Sequence, residues 1–108
     1  ELTELVQLTH AHQAIAKIII ETAYLDAFEL HTACEICVEA QADFVKTSTG
    51  YAPAGASVEI VRTLKSILPA AVKIKASGGI RTYEQAYALV EAGADRIGTS
   101  QAVAIVQK

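Results

Sequence analysis

The sequence has no methionine and no tryptophan, and its aromatic residues are four tyrosines and two phenylalanines in 108 positions. Without an initiator residue the chain reads as a processed, truncated or excised piece of a longer product. With so few aromatic rings, a stacking surface for nucleotide bases or sugars is not expected. Cysteine is scarce, with Cys34 and Cys37 alone, which excludes a disulfide framework and points to a reducing, cytoplasmic setting. No uninterrupted apolar run exceeds five residues, far short of the roughly 18 that a membrane span needs. No basic segment followed by an apolar stretch opens the chain, so no secretory leader is expected. Basic charge is also lacking: the formal net charge is −3, against the positive footprint that nucleic-acid binding requires. What remains is 52% hydrophobic and 19% charged, the make-up of one packed domain.

The order of elements follows from periodicity and punctuation. Apolar residues at Leu2, Leu5, Val6, Leu8 and Ile15 suit a helix. Lys17–Thr22 (KIIIET) is a β-branched run without alternation, expected to be a strand buried on both faces. Asp26 with Glu29 forms a capping box for a helix to about Ala40. Asp43–Thr47 is a second strand and 50–55 (GYAPAG) a loop. Ser57 caps a helix that must stop near Pro69. Val72–Ala76 is a third strand, Thr82 with Gln85 caps the next helix, Asp95–Thr99 is a fourth strand, and 100–108 reads as a last helix.

This alternation predicts a parallel α/β sheet with helical crossovers. A self-match sharpens it. EAQADFVKTS at 39–48 returns as EAGADRIGTS at 91–100, an offset of 52, with six positions identical and a Val/Ile pair besides. Two βα units of about 26 residues fit that offset, the building block of a (β/α)₈ TIM-type barrel. A doubly wound sheet is the alternative. Such a barrel takes roughly 200–250 residues, so residues 1–108 amount to about four βα units, a half-barrel. Four strands leave two open edges and a bare inner face. A missing half or a second copy of the chain is therefore expected to close it.

Lys46 and Lys75 carry the sharpest chemical signal. Each ends a strand, and Lys46-Thr47-Ser48-Thr49-Gly50 parallels Lys75-Ala76-Ser77-Gly78-Gly79 as Lys, small, Ser, small, Gly. Active sites of parallel barrels lie at this end of the strands, and adjacent strands are about 4.8 Å apart. A lysine amine attacks a carbonyl only when neutral, about 0.04% of the time at pH 7 if unperturbed. A second cation about 6 Å away, at an effective dielectric of about 20, opposes protonation by about 2.8 kcal/mol. Desolvation acts in the same direction. A matched lysine pair at strand ends is thus the pattern of a Schiff-base nucleophile and its tuning partner. The bland reading, one lysine snorkelling to water and the other paired with a carboxylate, stands beside it.

Gly78-Gly79 before a capped helix, and Gly98-Thr99-Ser100 before the final segment, can present backbone N–H groups to an anion. The alternative is that these glycines merely permit tight turns. Cys34 and Cys37 fall mid-helix, where nothing lowers a thiol pKa. His10, His12 and His31 form no metal-ligand set, so no metal or other cofactor is expected.

The segments DFVKTSTG at 43–50, KASGGIRT at 75–82 and GADRIGTS at 93–100, with KIIIET at 17–22 and CEICVEAQADF at 34–44, resemble deoxyribose-phosphate aldolase. The resemblance spans nearly the whole chain. It implies the C-terminal half of a (β/α)₈ barrel and a class I, metal-independent aldolase. Such an enzyme reversibly cleaves 2-deoxy-D-ribose 5-phosphate to D-glyceraldehyde 3-phosphate and acetaldehyde. By this resemblance Lys46 forms the Schiff base and Lys75 tunes it. Gly78, Gly79, Arg81, Gly98 and Ser100 meet the substrate phosphate, and Thr49 and Gly50 line the pocket. The resemblance also implies that a proton-relay aspartate belongs to a part not present here, leaving Glu21 as the nearest strand-end carboxylate. Ala52 and Ala54 stand where glycines are common, and Gln101 where a second serine is usual. Two other readings remain open: a half-barrel that binds a phosphorylated ligand or assembles without turnover, and another Schiff-base aldolase with a different acceptor.

Overall fold

The computed structural model describes residues 2–48 and 55–99. In chain order the elements are α1 (Leu2–Ala11), β1 (Lys17–Ile19), α2 (Ala27–Glu39), β2 (Phe44–Lys46), α3 (Val58–Ile67), β3 (Lys73–Ser77), α4 (Tyr83–Ala92) and β4 (Arg96–Gly98), with a 3₁₀ turn at Thr22–Tyr24 after β1. The expected helix over 100–108 lies outside the described residues. The four strands are parallel and stand side by side in sequence order, β1-β2-β3-β4. That order separates the two expected architectures. A doubly wound sheet reverses direction at a switch point, which places helices on both faces. Here the order never reverses, so crossovers of one hand stack their helices on one face, as in a segment of a barrel wall.

The strand period of two then decides which side chains meet the helices. Val45 and Ile74 point outward into a core with Leu30, Cys34, Cys37, Leu64 and Leu68. Ala76 does the same beside Val61, Ile80 and Leu89. The alternate positions, Lys17, Ile19, Phe44, Lys46, Lys73, Lys75, Ser77, Arg96 and Gly98, share the other face by register. On that face Lys17, Ile19, Lys73 and Arg96 are exposed, Lys46 and Lys75 are half-buried, and Phe44 and Ser77 are buried. Consequently β1 is not buried on both sides as the run of isoleucines suggested. Ile18 and Ile20 pack on the core, while Ile19 is 46% exposed. The strand also ends at Ile19, because Glu21 turns the chain into the left-handed region at φ 36°.

The helix punctuation follows the expected chemistry. Asp26 and Glu29 form a reciprocal capping box, and Thr82 and Gln85 form a second. The Ser57 side chain accepts from the Ile60 amide, and α3 stops at Ile67, two residues before Pro69. α1 is shorter than expected, ending at Ala11, and Gln13 follows in the left-handed region at φ 60°.

The 52-residue repeat has a structural meaning at the amino ends of the strands. The Asp43 carboxylate accepts from the Ala16 amide at 2.7 Å and its backbone N–H donates to Ala16 O. The Asp95 carboxylate likewise accepts from the Ile74 amide at 2.9 Å, and its N–H donates to Ile74 O. Each aspartate thus clamps the neighbouring strand from the entrance to its own. His10 adds a 2.7 Å contact from Nε2 to Asp43, which gives this histidine a structural partner. The Ala16 amide, then the His10 hydrogen bond and charge, hold the Asp43 carboxyl below its ordinary value of 3.8 against a smaller opposing effect of desolvation. A carboxylate with a lowered folded-state pKa stabilises the fold above the ordinary value, and this contribution is lost as pH falls through the lower one. Because both side chains are more than a third exposed, Asp43→Ala should cost only about 1 kcal/mol at neutral pH. Denaturation curves should show that difference shrinking below about pH 4; a difference constant from pH 2 to pH 7 would contradict the clamp.

Candidate active site

The carboxyl ends of β2, β3 and β4 form the mouth of the open face. Lys46 on β2 is the register partner of Lys75 on β3, and Lys75 is that of Arg96 on β4. The two lysines singled out by sequence are therefore adjacent on one face, each half-buried. Gly98 closes the row against Ser77. A Cβ built on Gly98 would stand 2.8 Å from Lys75 Cε and 3.2 Å from Ser77 Cβ. The missing side chain at Gly98 is what leaves a slot for the Lys75 stem. Phe44, one row below, supplies an apolar floor, and the Arg96 guanidinium lies 4.5 Å from the centre of its ring.

Under the lysines lies a buried polar knot. Thr47 Oγ1 donates to Ser77 O and accepts from the Ser77 amide, both at 3.0 Å. Ser77 Oγ donates to Ser48 O at 2.7 Å, and Ser48 Oγ donates to Thr47 Oγ1 at 3.3 Å. The ladder continues past the strand ends, with Thr22 N–H donating to Thr47 O and Thr47 N–H to Lys75 O. Thr47, Ser48 and Ser77 thus tie β2 to β3 where the two amines emerge.

Gly78 and Gly79 follow at φ 92° and 72°, and turn the chain into α4. Their surroundings differ. A Cβ on Gly78 would stand 2.9 Å from Gly55 Cα, whereas one on Gly79 would meet nothing within 4 Å. Gly79 faces open space, as a ligand-contacting turn must. The amides of Arg81 and Thr82 already donate to Gln85 Oε1. Arg81 is exposed beside the turn. Thr99 Oγ1 donates to Ile80 O at 2.6 Å, joining β4 to this turn. A groove of about 390 Å³ opens between the starts of α3 and α4, with Ser57, Gly79 and Ile80 in its wall. Thr49, Gly50 and Ser100, expected at the site, and Ala52, Ala54 and Gln101, noted beside it, lie outside the described residues.

The electrostatics single out Lys75. Its amine titrates below the ordinary lysine value of 10.5, first through desolvation, then through the Lys17 charge and hydrogen bond, and then through the Arg96 charge. Lys17 and Arg96 were not singled out by sequence. The signal was present in register arithmetic: counting inward positions in twos from Lys46 and Lys75 puts both on the same face. The decoys behave as core. Cys34 and Cys37 are buried. Burial and the neighbouring Cys37 push the Cys34 thiol up to about 11, and burial raises Cys37. Thiols so held stay protonated and unreactive. Among the described residues no cluster of three or more His, Cys, Asp or Glu side chains could hold a metal ion. Nor is any described helix long and apolar enough to cross a membrane.

No family model matches the chain. It is 52% identical over 107 residues to a deoxyribose-phosphate aldolase of Thermococcus gammatolerans, covering 99% of this chain and 48% of that protein. It is 51% identical over 108 residues to one of Aquifex aeolicus, covering 100% and 48%. Among solved structures, a deoxyribose phosphate aldolase of Aeropyrum pernix, described as tetrameric, superposes with a TM-score of 0.91 at 38% identity, covering 98% of this chain and 46% of that one. The chain spans about half the length of the curated relatives it matches.

Proposed function

We propose, from the premise that this chain is kin along its whole length to one half of the deoxyribose-phosphate aldolases, that it is the half carrying their reactive lysines. The single observation that supports this best is the placing of Lys46 and Lys75 as register partners at the carboxyl ends of adjacent strands, on the open face. The substrate is 2-deoxy-D-ribose 5-phosphate and the chemistry is reversible carbon–carbon cleavage through a lysine imine, with no metal.

Lys46 reacts as the neutral amine, its ammonium proton having gone to solvent, with Lys75 beside it in register as the second amine of the site. The freed Lys46 Nζ adds to the aldehyde carbon of the open-chain sugar. The carbonyl oxygen gathers two protons and departs as water, leaving a protonated imine. A base then removes the 3-hydroxyl proton, and the C2–C3 bond breaks. Its electron pair moves into the imine and leaves an enamine. D-glyceraldehyde 3-phosphate departs, the enamine takes a proton at carbon, and water releases acetaldehyde and regenerates the Lys46 amine. Gly78, Gly79, Arg81, Gly98 and Ser100 receive the phosphate, and Thr49 and Gly50 line the pocket between. The open space at Gly79 and its positive φ support that assignment.

The phosphate assignment has its own test. Gly79→Glu puts a carboxylate where the anion should sit; its Cβ would meet nothing within 4 Å, and the φ of 72° strains any side chain there. Borohydride trapping should favour the phosphorylated sugar over 2-deoxyribose in the parent chain, and the variant should lose about tenfold or more of that preference. Equal loss for both sugars would make the turn structural.

The open face also needs cover. Leu5, Leu8, Ile15 and Ile19 are 46–61% exposed, on and around the edge element β1. We assign this edge to the other half of a barrel or, in its absence, to a second copy of the chain. Sedimentation at micromolar concentration should then show a dimer or larger species; a compact, cooperatively folding monomer would contradict it.

A further inference from the structure

Three described residues other than glycine hold a positive φ: Gln13, Glu21 and Gln41. Two have a local cause. Gln13 follows α1 and Gln41 follows α2, and a left-handed residue just past a helix is an ordinary way to end one. Glu21 ends no helix. It stands at φ 36° and ψ 68° before the 3₁₀ turn at Thr22–Tyr24, and its side chain makes no capping hydrogen bond to that turn. The hydrogen bonds on either side show what this conformation does. The Ile20 amide donates to Lys46 O at 3.0 Å, and the Thr22 amide donates to Thr47 O at 2.8 Å. In a regular parallel ladder two steps on one strand match two on its neighbour. Here two steps after β1 match a single step on β2. Glu21 is the extra residue of a bulge, pinned from both sides against the Lys46–Thr47 peptide, one strand spacing of about 4.8 Å away.

Glycine would hold this conformation without strain, and glutamate does not. A bulge with a strained residue at a strand end is a device for aiming a side chain at a site. The placing of Glu21 fits that use. It lies at the carboxyl end of the sheet, beside the strand end that carries Lys46, and it is half-buried. Ile18 and Ile20 pack on the core while Lys17 and Ile19 are exposed on the other side, so the alternation brings Glu21 next onto the open face. Asp43 and Asp95, by contrast, are engaged at the amino ends of the strands. We propose that Glu21 is a specificity-determining residue of the aldehyde site, its carboxylate accepting a hydrogen bond from a hydroxyl group of a hydroxylated aldehyde held on Lys46. An aldehyde without hydroxyl groups gains nothing from it. No proton is transferred in this role; the carboxylate stays an acceptor throughout. The inference rests on the aldolase reading for its ligand, while the bulge and its strain exist without one.

The readout is the ratio of borohydride trapping at Lys46 with 2-deoxy-D-ribose to trapping with acetaldehyde, taken from peptide mass spectrometry. Glu21→Ala keeps a strained residue in the bulge and removes the carboxylate. It should lower the ratio about tenfold or more, the scale of one hydrogen bond to a charged group. Glu21→Gln keeps an acceptor without the charge and should fall between. Glu21→Gly should lose the ratio as fully as Glu21→Ala, yet raise the midpoint of urea denaturation above that of the parent chain, because glycine takes the left-handed region without strain. An unchanged ratio in Glu21→Ala overturns the proposal. Equal loss for both aldehydes overturns it too, by making the bulge structural. So does a lower urea midpoint in Glu21→Gly, which would mean that the side chain is kept for stability. Each of these leaves the aldolase reading standing. Failure of both aldehydes to label Lys46 in the parent chain would instead overturn that reading, and the proposal with it.

Discussion

Lys46→Leu should abolish covalent capture of acetaldehyde by borohydride, while Lys75→Leu should slow it and leave the adduct at Lys46. The two lysines share a register row, so a purely electrostatic account would let them exchange roles. The surroundings make them unequal. Lys75 lies in the slot beside Gly98, with Arg96 as its other register partner, so its stem is fixed while it sets a second cation next to Lys46. Losing a cation about 6 Å away changes the neutral fraction of an amine by about a hundredfold, whereas losing the nucleophile leaves no bond to form. The leucine at either position keeps a comparable stem over the Phe44 floor, so the fold should persist and the readout is chemical. Capture at Lys75 in the Lys46→Leu chain, at the parental rate, would reverse the assignment.

The largest effect on stability is expected at Gly55. A Cβ there would lie 2.2 Å from Gly78 O and 2.7 Å from Gly78 Cα. These are backbone atoms, so no side chain can swing aside. Gly78 is itself held at φ 92° with Ser48 directly against it, and the Ala56 amide donates to both Ser77 O and Gly78 O. Two chain segments thus cross in contact above the Thr47–Ser77 knot. Gly55→Ala must pry them apart, and should cost at least about 3 kcal/mol, the upper end for overpacking. Gly79→Ala is the control. It has open space and pays only for its positive φ, about 1–2 kcal/mol. Urea denaturation of the two variants separates them. A Gly55→Ala chain as stable as the Gly79→Ala chain would mean that the crossing is not tight in solution.

These two sites also show what a sequence can and cannot carry. Within the described residues the order of elements, both capping boxes, the stop before Pro69 and the adjacency of the two lysines were legible, because each depends on residues close in the chain or on a strand period of two. The parallel sheet of a half-barrel was legible for the same reason, through the 52-residue repeat. The exposure of Ile19 was misread at the level of local pattern, since three isoleucines look alike whether or not a second layer covers one of them. Lys17 was passed over because its place on the face of the two lysines follows from the register of β1 against β2 and not from spacing in the chain. The Gly55–Gly78 crossing is invisible for a related reason. Nothing in GYAPAG tells which backbone it will lie against. The aspartate of each repeat was seen as a match and not as a clamp, because its partner, Ala16 or Ile74, belongs to the neighbouring strand.

The proposed function makes one central claim: that this chain presents Lys46 as an imine-forming amine. Peptide mapping after brief exposure to acetaldehyde and borohydride tests it most directly. The account predicts an ethyl group concentrated on Lys46, with Lys17, Lys65 and Lys73 near background. Labelling spread evenly over these lysines, in proportion to their exposure, would contradict it.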